Sequence, residues 1–155
     1  MLTNLLELYV HDFSEHVAVP LKPNGRFDVS LDERWWTADD HFPFLVLHRH
    51  ELAGFALVRR GSRVTTDTEL MDVAEFFVVR GARRRGVGLA AAHALFARFP
   101  GRWELRIRRS NAAAKSFWLR AAAALLGHDA ELSSFSSQGV DWDVVRLDSS
   151  RAHAR

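Results

Sequence analysis

Three arginines and two glycines fall within six positions at Arg83-Arg84-Arg85-Gly86-Val87-Gly88. Guanidinium stays ionised and forms forked hydrogen bonds to phosphate. Glycine has no side chain to keep an oxygen away from backbone N–H groups. Where a helix starts at such a point, its first N–H groups are unpaired and its dipole adds positive charge, so an anion is favoured there. Together these residues describe a phosphate cradle, provided that a strand delivers the chain to Arg83 and a helix leaves from Gly86.

The flanking sequence supplies both. Asp72 to Val79 ends in the apolar "FFVV" and reads as a strand. Gly86 to Phe99 is rich in alanine and leucine, has no β-branched residue after Val87 and stops at Pro100-Gly101, which predicts a helix. Upstream, Leu5, Leu8, Val10, Phe13 and Val17 recur near helical spacing behind Thr3 or Asn4 as a cap. Arg26 to Val29 suits a short strand, "SLDERWW" a short helix capped by Ser30, and two β-rich runs joined at His48 to Glu51 a hairpin. Downstream, "WELRI" alternates as a strand does, and Ser110 or Asn111 caps a helix that runs to Leu126 and ends at Gly127. Apolar positions around Phe135 and from Val140 to Leu147 allow one or two closing strands. The order predicts a single α/β domain over residues 1–148, with a mixed sheet and helices on its faces, and a frayed tail over 149–155.

Composition narrows the function classes. A chain of 155 residues buries a core without disulfides or metals, and the absence of cysteine removes thiolate zinc sites and cysteine nucleophiles. His11, His41, His48, His50 and His93 lack metal-ligand spacing, so no metal is predicted and each reads as a packed or solvated side chain. His11 gains some interest from Asp12 and Glu15 beside it. No apolar run nears the roughly 18 residues of a membrane span. The N-terminal stretch lacks the basic flank and cleavage site of a signal peptide, so a cytoplasmic protein with no membrane partner is expected. A net charge of +2 and the lack of a second dense basic cluster argue against a nucleic-acid partner. Gly86, Gly88 and Ala91 also fit the G-x-G-x-x-A dinucleotide pattern, but Arg80 to Arg85 separate them from the strand, where that pattern turns at once. The bland reading of the triplet is a solvated surface turn.

Arg83 to Gly88 resembles the [QR]-x-x-G-x-[GA] signature of the GNAT superfamily of N-acetyltransferases. A second resemblance lies one strand later, where Asn111, Ala114 and Phe117 keep the spacing N-x-x-A-x-x-[FL]-Y of that superfamily's other cofactor-contacting helix. The likeness implies a mixed, mostly antiparallel central sheet flanked by helices on both faces, and acetyl-CoA as cosubstrate. By the same likeness Phe76, Phe77 and Val78 line the pantetheine arm, and Arg84, Arg85, Gly86, Val87, Gly88 and Leu89 offer amides to the pyrophosphate beside Arg83. Asn111 would bond near the pantetheine, and Ala114 would let the cofactor lie close. Relatives commonly form homodimers through their C-terminal strands. The sequence departs from the pattern at Trp118, which stands where the family usually has the tyrosine that protonates the departing thiolate, and Tyr9 is the only tyrosine in the chain. An indole N–H donates a hydrogen bond but no proton. Water replaces that acid, or the thiolate leaves unassisted, or the chain is a slow enzyme or a non-catalytic acyl-CoA-binding module.

Transfer to an amine requires a group that takes a proton from the ammonium. Glu75 sits in "AEFFV", which resembles the corresponding strand of polyamine acetyltransferases, and Asp72 falls where histone-type members carry their base. In an unbroken strand the two point to opposite faces, whereas the bulge that family members carry here changes that parity. Glu75 is the favoured base and Asp72 the second candidate. Trp35, Trp36 and Phe42 could wall the acceptor site, and Arg60 to Leu70 could supply an acceptor loop. The acceptor is expected to be a primary amine on a small molecule or peptide.

Overall fold

The computed structural model describes residues 1–153. In chain order they form helices α1 (Leu2–Phe13) and α2 (Arg34–Thr37), strands β1 (His41–His48), β2 (Glu51–Arg60) and β3 (Met71–Val78), and helix α3 (Val87–Arg98). Strand β4 (Arg102–Arg108), helix α4 (Ala112–Leu126) and strands β5 (Glu131–Ser137) and β6 (Val140–Asp148) follow. The sheet runs β1-β2-β3-β4-β6-β5. Every neighbouring pair is antiparallel except β3 and β4, which are parallel and pair only at Met71 with Trp103 and Asp72 with Glu104. Beyond Asp72 the two central strands diverge, and the β4-facing backbone edge of β3 is left open.

The two tight hairpins explain the order at the sheet's edges. Arg49 and His50 both take positive φ between β1 and β2, as do Gln138 and Gly139 between β5 and β6, which matches the right-handed twist of paired strands. Gly54 on β2 answers a different need, because a Cβ there would lie 2.0 Å from the carbonyl oxygen of Phe77 on β3, so only glycine lets the strands meet.

Alternation along the strands builds one core on each face. Ala56, Val58, Met71, Val73, Trp103, Leu105, Ile107, Val145 and Leu147 pack against Ala92, Leu95 and Phe96 of α3 and Trp118, Ala121 and Ala122 of α4. On the opposite face Phe55, Leu57 and Phe77 pack against Leu5 and Leu6 of α1. Burying each such large side chain contributes about 1.5–3 kcal/mol.

Several sequence expectations are corrected here. Helix α1 has Met1 at its N-cap with no side-chain cap, ends at Phe13 before Val17, and leaves Leu8 exposed. Arg26 to Val29 is not a strand, and α2 starts behind Glu33 rather than Ser30. The segment expected to fray from residue 149 instead begins as a 3-10 helix, Ser149–His153. The buried Ser149 hydroxyl donates to the Phe96 carbonyl at 3.1 Å and accepts from the Gly101 N–H at 3.2 Å, which ties the chain down at that point. Residues 154–155 of that expected tail lie outside the described residues.

Candidate active site

The divergence of β3 from β4 opens a cavity of about 1080 Å3 between the end of β3, the start of α3, one face of α4 and the last turns of α1. Phe76, Phe77, Val78, Arg83, Arg84, Gly86, Gly88, Leu89, Asn111, Ala114, Phe117 and Trp118 all line it, so the two sequence motifs meet in one place. Arg85 and Val87 do not: Arg85 is exposed beyond the rim, and Val87 is buried in a small cluster with Val46, Ala53, Val78 and Ala82.

The start of α3 is built for an anion. Gly86 is its N-cap with φ +77° and makes no side-chain cap, which leaves the first-turn N–H groups of Val87, Gly88 and Leu89 without a side-chain partner. Arg84 also has positive φ, at 58°. Alternating backbone of this kind turns successive N–H groups inward as an anion-binding concavity. Gly88 serves packing as well, since a Cβ there would sit 3.2 Å from the Phe117 ring. These features fit a pyrophosphate.

Other members of the motifs carry structural work that spacing did not reveal. Arg83 donates from Nε to the Val78 carbonyl at 2.8 Å and from its terminal nitrogen to Asp12, while Arg80 reaches the same Asp12 at 3.0 Å. The two arginines thus tie α1 to the loop. Although burial works the other way, these bonds from Arg83 and Arg80 hold the Asp12 carboxyl below the usual range. Arg84 lines the cavity with no such partner among the described residues. Asn111 uses its side-chain oxygen to cap α4, accepting from the Ala114 N–H at 3.0 Å. Trp118 is buried and packs edge-on against Phe76 at 5.0 Å and Phe117 at 4.9 Å.

A bulge decides where the carboxylates point. Leu57 faces Glu75 and Val58 faces Val73, so Ala74 is the extra residue. Asp72 and Glu75 therefore share the α1 face, and Phe76 turns to the α4 face to stack on Phe117 at 5.6 Å. Asp72 is fully buried, pairs with Arg63 at 2.6 Å and does not line the cavity. Burial raises its pKa, with Arg63 opposing.

Glu75 is also absent from the cavity wall, but its Oε2 accepts the hydroxyl hydrogen of Tyr9, which does line the wall. Burial pushes the Glu75 carboxyl above the usual range, opposed by the Tyr9 hydrogen bond and by Arg63. The Tyr9 hydroxyl is pushed up by burial and by the charge of Glu75. Tyr9 thus keeps its proton and stands between Glu75 and the cavity. Sequence reasoning missed Tyr9; its being the sole tyrosine was the one available signal.

The remaining candidates scatter. Trp35 packs on His41 at 4.6 Å, Phe42 packs on Phe99 at 4.9 Å, and Trp36 is exposed, so they form no common wall. His93 bonds to the Ala121 carbonyl at 2.9 Å. His11, His41, His48, His50 and His93 stay off the main cavity, which His16 lines instead. The 60–70 loop folds back on the sheet, with Ser62 donating to Glu104 at 2.8 Å and Arg63 paired to Asp72. Among the described residues no group of three or more acidic or histidine side chains could hold a metal ion, and no helix is long and apolar enough to cross a membrane.

Comparison with known proteins agrees with this geometry. Residues 2–122 match the sequence pattern of the Acetyltransferase (GNAT) family. No curated protein matches in sequence. Among solved structures, an acetyltransferase from Thermus thermophilus is similar with a TM-score of 0.67 at 14% identity, over 94% of this chain and 90% of that one. The ribosomal-protein-S18-alanine N-acetyltransferase from Escherichia coli is similar with a TM-score of 0.51 at 16% identity, over 79% of this chain and 80% of that one. A Bacillus anthracis protein in complex with acetyl coenzyme A gives a TM-score of 0.51 at 13% identity, over 78% of this chain and 69% of that one. At these identities the likeness is one of fold.

Proposed function

The chain belongs to the GNAT acetyltransferase family, and from that premise we propose that it transfers an acetyl group from acetyl-CoA to a primary amine, with Glu75 as the base and Tyr9 as its link to the cavity. The observation that carries this reading is the uncapped start of α3 and the open edge of β3 facing one cavity. The N–H groups of Gly88 and Leu89, with Arg84, would hold the pyrophosphate, and the free backbone of Phe76 to Val78 would bond the pantetheine arm. The thioester supplies an activated carbonyl carbon.

The amine nitrogen attacks that carbon, a C–N bond forms, the C–S bond breaks, the thiolate carries away the electron pair, and the nitrogen sheds its remaining excess proton to that thiolate or to water. A neutral nitrogen is needed for attack, so the ammonium must first give up a proton. Glu75 suits that step because its raised pKa makes it a stronger base than an ordinary carboxylate. Its hydrogen bond to Tyr9 offers the route, with Tyr9 passing one proton to Glu75 as it receives another from the amine or a water. A backbone N–H on the β3 edge would stabilise the developing oxyanion.

Trp118 supports a second reading, a catalytically weak acyl-CoA-binding module. It is buried against Phe76 and Phe117, and an indole supplies no acid for the leaving thiolate. Against that, a thiol pKa near about 8.5 makes the thiolate a fair leaving group unaided. Free-thiol release from acetyl-CoA with a panel of amines separates the two. The enzyme reading expects amine-dependent release, and binding of CoA with no release above the hydrolytic background contradicts it.

A further inference from the structure

The sheet face that α1 covers continues onto β4 and β6, and its charges do not balance. Asp72 takes Arg63, and Glu104 takes Arg146 at 3.0 Å. Arg106 and Arg108, two residues apart on β4, share this face. Both are half-buried, and among the described residues neither guanidinium makes a hydrogen bond or an ion pair. The Nε of Arg106 is buried without a partner, as is the indole Nε1 of Trp142. Both guanidiniums lie against that indole, 4.1 Å and 5.2 Å from its centroid.

Among the described residues Arg106 and Arg108, with the equally unpaired Arg59 opposite Asp72, thus face one carboxylate without an ion-pair partner, Glu75. A half-buried charge without a counter-ion is unfavourable, and burial together with nearby Arg63 lowers the Arg106 pKa accordingly. The patch also borders the reaction site. The Arg108 guanidinium is 5.9 Å from the ring of Phe13, which lines the cavity with Tyr9 one helical turn away.

We propose that Arg106 and Arg108, held against Trp142, bind a carboxylate carried by the acceptor, so that the acceptor is a small zwitterionic amine of the amino-acid type. The proposal rests on the acetyltransferase reading above. Guanidinium forks match the two oxygens of a carboxylate, and stacking on an indole limits the freedom of their planes. The Trp142 N–H is a third donor in the same patch. A dianionic phosphate would meet Asp72, Glu75 and Glu104 at close range, which favours the singly charged group. With its carboxylate on this patch, the acceptor points its amine toward Tyr9 and Glu75.

The test compares acetyl transfer to amino acids and to their matched carboxamides, with CoA affinity followed in parallel by calorimetry. The expected result is a KM lower by about tenfold or more for the carboxylate form. Arg106→Gln and Arg108→Gln should each raise that KM about ten- to a hundredfold, while leaving KM for the carboxamide and affinity for CoA unchanged. The second variant serves if the first, whose Nε is buried, does not fold. Equal KM for acid and amide, or a preference that survives both substitutions, overturns the proposal while the acetyltransferase reading stands. Loss of all affinity for CoA in the wild-type protein overturns both.

Discussion

The two halves of the cleft are built by different means. On the side of α3 and α4, the surface is made from backbone N–H groups, small residues and a helix start, and the residues responsible lie in two short runs, Arg83 to Leu89 and Asn111 to Trp118. On the side of α1, the wall is Tyr9, Asp12, Phe13 and His16, and behind it long side chains converge from the 60–70 loop, β3, β4 and β6. A backbone site needs a local conformation, which a local motif can write. A side-chain site needs only that distant residues meet, and no spacing records it.

The largest expected effect tests whether the α1 side carries the chemistry. Glu75→Gln should lower kcat by about 10²- to 10⁴-fold and leave CoA affinity unchanged, as read by steady-state kinetics beside calorimetry. An equal loss of CoA affinity would mean that the two halves are not separable. Asp72→Asn comes next. It leaves the partly buried Arg63 without its ion-pair partner and should cost about 3 kcal/mol, a fall in melting temperature of about 10 °C, with the pH profile of any residual activity retained. A lost acid limb instead would make Asp72 the base.

Asn111→Ala removes the cap of α4 seen at Ala114 and should cost about 1 kcal/mol in thermal denaturation. An unchanged melting temperature with weakened CoA binding would assign Asn111 to the cofactor alone. The smallest effect is a shift. Activity needs the Glu75 carboxylate, so kcat rises with pH through a pKa that burial holds above the usual range. The Tyr9 hydrogen bond opposes that rise, so Tyr9→Phe, besides lowering kcat through the lost relay hydroxyl, should move the acid limb to higher pH. A limb that stays in place or moves down would remove Tyr9 from the proton path.

Legibility in the sequence follows the same division. The helices starting at Val87 and Ala112, the stop at Gly127 and the strands around them are read from caps, glycines and alternation, and the structure has them within a residue or two. The bulge at Ala74 could be suspected from the resemblance alone, since nothing in "MDVAEFFV" marks which residue steps out of register. The structural tie of Arg83 to Asp12 spans 71 positions, so no local spacing shows it. Tyr9, Arg106, Arg108 and Trp142 come together only through the sheet order, which sets β4 between β3 and β6. The irregular stretch between α1 and β1 has too few periodic residues for spacing to decide, and its predicted strand does not form.

Titration of CoA and of pantetheine into the wild-type protein tests the pyrophosphate seat at Gly86–Leu89 most directly. Bonds to the phosphates predict that CoA binds and that pantetheine, which lacks them, binds weaker by about 100-fold or more. Equal affinity for the two, or none for CoA, would contradict the account.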